Sequence, residues 1–224
     1  MVRSVLDNPI WHSLTTRHAK LAIGSGSVRR YPATVTPFAA VRDTESSTEE
    51  ELKALVSVGE RVGVLAVVPQ WSQEWSIVHS FMIRQYVWQG GDLPASPSVV
   101  GLDDSDIGAM TALTELVYPA YFRHETARLG RYFGIKRGDV LCAMGGIRMA
   151  MDGYQEISAV CTHPDFRGQG NATVVTAHLV RHVTGQGDVP FLHTEADNVV
   201  AQAVYEKLGF RLNQELPFSV VERV

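Results

Sequence analysis

The chain has 224 residues, a formal net charge of −4 at pH 7 and a pI near 6.1, with 45% hydrophobic and 20% charged residues. This composition is typical of a soluble globular protein with one large domain or two small ones. Because nucleic acids and anionic membranes bind clustered Lys and Arg, the acidic balance argues against both partners. No apolar run approaches the roughly 20 residues that span a bilayer, and the start lacks a secretory signal, so a cytoplasmic location is expected.

Residues 1–95 have the pattern of a small α/β half. Asn8 and Pro9 are suited to begin a first helix, and acidic residues after Ser47 favour a second helix that ends near Gly59. The predicted elements are a helix over 8–21, strands over 28–31 and 35–41, the helix from 47, and strands over 61–68 and 77–87.

Gly, Pro and Ser dominate residues 90–98, a composition that is typical of a linker. This break divides the chain into an N-terminal half, 1–95, and a second domain, 99–224. The second domain is predicted to contain a helix from Asp103 to the residues before Pro119, strands over 131–136, 140–149 and 154–162, a helix over 173–183, a strand over 189–195, a helix over 198–209, and a last strand from 210 toward 224 with an interruption at Pro217. Short turns predict an antiparallel meander of the first three strands, and the crossover helix makes the strand over 189–195 parallel to the one before it.

A glycine-rich loop, Arg167-Gly168-Gln169-Gly170-Asn171-Ala172, lies between an apolar strand and a helix. Glycines allow consecutive N–H groups to turn toward one point, and the first turn of the following helix adds partial positive charge. The loop is therefore predicted to bind a phosphate. A dinucleotide-binding fingerprint would need a small residue where Thr173 lies. The phosphate loop of nucleoside triphosphatases would need a Lys, which is absent from this segment.

Two cysteines, Cys142 and Cys161, lie in strand-like apolar runs, where a free thiol behaves as a small hydrophobic group. His163 would share a strand face with Cys161, which leaves a catalytic Cys–His pair as an alternative. His178 and His182 share a helix face, but no third ligand accompanies them, so no metal site is expected.

Two segments carry a resemblance to a known family. Residues 160–172 resemble the acyl-CoA loop of the GNAT acyltransferase superfamily, with Arg167, Gly170 and Ala172 in its fixed positions. The segment from Asn198 to Phe210 resembles the family's N-x-x-A-x-x-x-Y-x-x-x-G-F pattern. On these motifs residues 99–224 are identified as a GNAT domain, while residues 1–95 match loosely, as a degenerate partner half of the FR47-like branch.

The resemblance implies a fold, a donor and a binding site. The fold is α/β (α+β), a mixed, mostly antiparallel twisted sheet flanked by helices, with a smaller N-terminal α/β half. Acetyl-CoA would be the acyl donor, with no metal, and its pyrophosphate would lie on residues 167–172. The CoA arm would pair with the backbone of Val160, Cys161 and Thr162, where the strand splays from its partner and the N–H of Val160 or of a neighbour can bind the oxyanion. Asn198 would contact the CoA arm, or serve only as a helix cap.

The expected activity is transfer of an acetyl group to a primary amine of a small molecule, amino acid or peptide, by direct attack in a ternary complex. Glu156 is the candidate base, with a solvated strand carboxylate as the alternative. Tyr205 is the candidate acid for the leaving thiolate, although its position also fits a buried helix face. A non-catalytic acyl-CoA sensor is the alternative function. The acceptor, the acyl length and the oligomeric state stay open, with a homodimer among the options.

Overall fold

A computed structural model describes residues 4–45, 48–119 and 121–224. Ser47, the predicted start of the second helix, lies outside these residues. The strands are β1 (Val28–Arg30), β2 (Phe38–Val41), β3 (Arg61–Leu65), β4 (Trp75–Trp88), β5 (Val100–Leu102), β6 (Tyr132–Arg137), β7 (Val140–Met151), β8 (Tyr154–Thr162), β9 (Val189–Glu195) and β10 (Phe210–Arg223). The α-helices are α1 (Pro9–Thr15), α2 (Thr48–Leu55), α3 (Ile107–Val117), α4 (Asn171–Thr184) and α5 (Val199–Lys207).

The strands form one sheet in the order β1-β2-β3-β10-β4-β9-β8-β7-β6-β5. The pairs β2–β3 and β8–β9 are parallel and the other neighbours are antiparallel, so the predicted mixed, mostly antiparallel sheet is confirmed. The meander of β6, β7 and β8 and the parallel β8–β9 crossover are also as predicted.

Both predicted halves of the chain contribute to this sheet. Strand β4, from the first half, lies between β9 and β10, and β10 also pairs with β3. The sheet is thus continuous across the glycine- and proline-rich connection at 90–98. The division into 1–95 and 99–224 stays a prediction.

Several element bounds differ from the prediction. The first helix ends at Thr15, because the hydroxyls of Thr15 and Thr16 donate to carbonyls of the preceding turn, at 2.8 and 2.5 Å, and compete with further helix formation. Strand β10 is continuous through Pro217, whose carbonyl accepts a hydrogen bond from the Ala66 N–H at 2.8 Å. The short strand β5, missed in the sequence, pairs with β6.

The helices bury apolar faces against the strands that surround the glycine-rich loop. Helix α4 buries Val175, Leu179, Val180 and Val183 in a cluster that includes Ile157 of β8. Helix α3 buries Met110 and Leu113 in a separate cluster. Among the described residues, no helix has both the length and the apolar character needed to cross a bilayer.

Candidate functional site

A gap opens between β8 and β9 partway along the sheet. The parallel pairing covers 154–156 of β8 and 189–191 of β9, although β8 continues to Thr162 and β9 to Glu195. In the described part of the chain no strand pairs with this side of β8 beyond Glu156. The predicted splay is therefore present, and it leaves a strand edge that an extended ligand can reach.

A bulge lies in β8 at the gap. Ser158 pairs with Gly146 and Cys161 with Met144, so Ala159 and Val160 together oppose one residue of β7. Ala159 has a φ of 54°, a left-handed conformation that costs a non-glycine residue of order 1–3 kcal/mol. Val160 thus has no register partner on β7 or β9, as expected for a residue whose backbone binds a ligand.

The glycine-rich loop follows β8 and leads directly into α4. Gly168 and Gly170 have φ values of 74° and 76°, and the space where their side chains would be is open. No described residue accepts a hydrogen bond from the backbone N–H groups of 168–173. Asn171 begins α4, and its amide donates to the Phe166 carbonyl at 2.9 Å, which fixes the loop. Exposed donors at a helix N-terminus fit a bound phosphate.

Two arginines flank this loop. Arg167, which the sequence singled out, is exposed. Arg137, which it did not, donates to the Gln169 side chain at 2.9 Å and lies over the Phe166 ring, 5.4 Å from its centroid. Arg137 precedes a turn far from the loop in the chain, and the β6–β7 and β7–β8 pairings together bring it here.

A pocket of about 430 Å³ opens on the other side of the gap. Its walls include Val160 at the bulge together with Asn198 and Tyr205 of the second motif. The walls also contain Phe38, Leu65, Phe81 and Ile83 from the first half of the chain. This volume is within the range of small-molecule sites.

Glu156 is fully buried beneath the pocket and is already paired. The Arg148 Nε donates to its Oε2 at 2.7 Å, and Nη2 donates to Oε1 at 2.5 Å. The His193 Nδ1 lies 2.7 Å from Oε1, and its Nε2 lies 3.1 Å from the Gln85 amide nitrogen, which assigns the proton to Nδ1. Burial raises the pKa of Glu156, but Arg148 and His193 outweigh burial and lower it to about 2.

Tyr205 and Asn198 lie at the pocket wall near the bulge. Tyr205 is 9% exposed, and its hydroxyl has no hydrogen-bond partner among the described residues. Burial, followed by the nearby Cys161, raises the pKa of Tyr205 to about 12. The Asn198 Oδ1 accepts from the Ala201 N–H at 3.1 Å, so this residue caps α5.

The remaining candidates, Cys161, Thr162 and Ala172, lie within regular secondary structure. Cys161 and Thr162 return to the register of β7 beyond the bulge, opposite Met144 and Ala143. Burial raises the pKa of the Cys161 thiol to about 12, which disfavours the alternative of a catalytic thiolate. Ala172 lies in the first turn of α4.

A family profile described as FR47-like protein matches residues 132–218. Over 99% of its length the chain superimposes on the whole of a GNAT-family protein from Novosphingobium aromaticivorans DSM 12444, with a TM-score of 0.91 and 29% identity. A GCN5-related N-acetyltransferase from Kribbella flavida has the same fold, with a TM-score of 0.61 and 14% identity over 98% of this chain and 94% of that one. The two structural matches cover both sides of the predicted domain boundary, whereas the family profile lies within 99–224.

A segment of 56 residues, 25% of this chain, is 41% identical to a mycothiol acetyltransferase from Streptomyces coelicolor. The aligned segment spans 18% of that relative's length, so the similarity concerns a segment and not the whole protein.

Proposed function

Because the chain belongs to the GNAT superfamily and has the GNAT fold, we propose that it transfers an acetyl group from acetyl-CoA to a primary amine of a small molecule, amino acid or peptide. One observation carries the proposal: the gap beside β8, the bulge in β8 and the glycine-rich loop that leads into α4 follow one another along the chain. A pocket for an acceptor lies on the opposite side of the gap. The cytoplasmic location and the homodimer stay predictions.

In this proposal the CoA pyrophosphate binds the N–H groups of the loop, and the pantetheine arm adds to the free edge of β8. We assign pyrophosphate contacts to residues 167–172 and pantetheine contacts to Val160, Cys161 and Thr162. Asn198, which lines the pocket while it caps α5, contributes from the opposite wall.

The amine nitrogen attacks the thioester carbonyl, and the Val160 N–H stabilises the oxyanion of the tetrahedral intermediate. The C–N bond forms, the C–S bond breaks, and Tyr205 supplies a hydrogen bond or proton to the departing thiolate. The pKa of the phenol lies above that of a thiol, so Tyr205 acts best as a positioned donor.

The base is the part of the predicted mechanism that we revise. A carboxylate with a pKa lowered to about 2 and with hydrogen bonds from Arg148 and His193 is a poor proton acceptor. We propose that Glu156 holds Arg148 and His193 in position and that the proton of the amine passes to water in the pocket.

Replacing Tyr205 with Phe is expected to lower kcat by about 10- to 100-fold, because a hydrogen bond made in the transition state is lost. The KM for acetyl-CoA should change little, since the ring remains. Steady-state kinetics measures both constants, and Tyr154→Phe, outside the pocket, is the matched control. Unchanged turnover would remove Tyr205 from the mechanism.

Replacing Arg137 with Ala is expected to raise the KM for acetyl-CoA about 5-fold with little change in kcat, since the residue contacts only the donor side. The effect should shrink as salt rises, because the charge is near solvent. Arg128→Ala, which removes an exposed arginine paired with Glu125, is the control. An effect on kcat alone would contradict a role in donor binding.

The proposed function is tested by release of free thiol from acetyl-CoA over a panel of amines, with the acetylated amine identified by mass spectrometry. Amine-dependent release is expected. Tight CoA binding with no release over a broad panel would instead support the acyl-CoA sensor.

A further inference from the structure

Most of the acceptor pocket is apolar and aromatic. Phe38 stacks with Tyr121, with ring centroids 6.2 Å apart and planes 16° apart, and Phe218 packs edge-on against Phe38 and Phe81 at 6.1 and 5.4 Å. Phe38 and Phe81 come from strands of the first half of the chain. A ring-bearing acceptor fits these surroundings, because aromatic pairs add favourable contacts to the burial of apolar area.

One cation lies in this apolar wall. The Arg148 side chain is 23% exposed and lines the pocket, and its guanidinium carbon is 5.1 Å from the centroid of the Phe38 ring. Glu156 uses Nε and Nη2 of Arg148. Nη1 makes no hydrogen bond with any residue in the described ranges, so its two N–H donors remain for a ligand.

The position of this guanidinium is fixed from two sides. Arg148 and Met149 form a bulge in β7 opposite Glu156, next to the pairs Ile147–Ile157 and Ala150–Gln155. Ser13 of α1 holds the end of the bulge, since its hydroxyl lies 3.1 Å from the Ala150 carbonyl and 3.3 Å from the Ala150 N–H. Glu156 is itself held by His193. A guanidinium that is ordered before binding loses little entropy when it binds an anion.

We propose that Arg148 is the carboxylate-binding residue for the acceptor and that the acceptor is an amine with a ring-bearing body and a carboxylate at the end remote from the amine. The proposal rests on the proposed acetyl transfer, which places the amine beside Val160. Besides the two N–H groups of Nη1, the second N–H of Nη2 is unused by Glu156, so end-on bidentate pairing with a carboxylate is available. Hydrogen bonds between two charged groups in an apolar pocket are strong.

The distance along β8 between Glu156 and Val160 favours an acceptor whose carboxylate is remote from its amine. Glu156, to which Arg148 is bound, precedes Val160 by four residues, or roughly 13 Å of extended chain, somewhat less at the bulge. In an α-amino acid only one carbon separates the amine from the carboxylate, which is short for this separation, so an α-amino acid fits the two groups poorly. A ring between them could span much of this distance.

The test compares two matched pairs of amines: 4-(aminomethyl)benzoate with benzylamine, and phenylalanine with phenethylamine. Thiol release gives kcat/KM for each amine, and calorimetry gives its affinity for the protein with CoA bound. In the wild-type protein we expect 4-(aminomethyl)benzoate to exceed benzylamine at least 10-fold in both measurements, with no such gain for phenylalanine over phenethylamine.

Arg148→Lys keeps the charge beside Glu156 but shortens the donor. In this variant the ratio of kcat/KM for 4-(aminomethyl)benzoate to that for benzylamine should fall to near one. Arg17→Lys is the control, because Arg17 makes a similar paired contact with Asp188 away from the pocket. Thermal unfolding checks that both variants are folded. The comparison of the two amine pairs in the wild-type protein tests the proposal independently of whether a variant folds.

The two proposals can fail separately. Acetylation of benzylamine as fast as of its carboxylate, or an unchanged ratio in folded Arg148→Lys, would overturn the role of Arg148 and leave acetyl transfer intact. Calorimetric preference for the carboxylate without any thiol release would support Arg148 and overturn the proposed activity.

Discussion

Replacing Glu156 with Ala is expected to lower the free energy of unfolding by about 3–5 kcal/mol, because it leaves Arg148 charged and without its partner where its side chain is only 23% exposed. The His193 Nδ1–H would lose its acceptor as well. Chemical denaturation measures the change. Glu222→Ala removes a partly exposed ion pair with Arg61 and should cost less than about 1 kcal/mol.

A double variant separates the charge from the packing. Arg148→Met combined with Glu156→Met removes both ions and fills much of their volume, so it should recover most of the stability that Glu156→Ala loses. If the double variant is as unstable as Glu156→Ala, the loss comes from packing and not from an unpaired charge.

The same pair predicts a pH dependence. The pKa of Glu156 is lowered from 4.5 to about 2, so the folded state favours the ionised carboxylate. The resulting stability, on the order of 3 kcal/mol, is fully present above pH 4.5 and is lost as pH falls toward 2. The double Met variant should lose less stability over this window in denaturation measured at stepwise pH.

Replacing the amide of Val160 with an ester is expected to reduce kcat by about 100- to 1,000-fold, the usual effect of losing one oxyanion donor. The valine α-hydroxy acid, incorporated during translation, removes the N–H and keeps the side chain. The KM for acetyl-CoA should change by only a few-fold, since the loop that binds pyrophosphate is untouched.

Val160→Ala is the control, because it alters the side chain and retains the N–H group, and it should keep kcat within a few-fold of wild type. Alkaline cleavage at residue 160 confirms the ester. A fully active ester would exclude this N–H as the oxyanion donor and would direct attention to its neighbours in the bulge.

Local patterns predicted the elements around the glycine-rich loop well. The period of apolar residues indicated α4 and α5, and the turns at Gly138 and Gly153, with φ values of 58° and 78°, matched the meander. The order of the strands could not be obtained in this way. Pairing of β4 with both β9 and β10 depends on contacts between residues more than a hundred positions apart, for which no local signal exists.

The same lack of a local signal for pairing explains why the roles of Glu156 and Arg148 were not predicted from the sequence. Glu156 looked like an available base because its strand position gave no sign of burial or of a partner. Arg148 received no role, although the turn between β7 and β8 places the two residues eight positions apart and side by side. A hairpin register with one bulge is needed to see that pair, and apolar alternation does not specify a bulge.

The position of β10 has a consequence for biosynthesis. β10 follows every other strand in the chain, yet it lies between β3 and β4, which are synthesised much earlier. Until β10 has left the ribosome, β3 and β4 have unpaired edges and Phe81 lacks its Phe218 neighbour. The acceptor pocket is therefore complete only after translation has passed β10, and the strand edges that face β10 stay open until then.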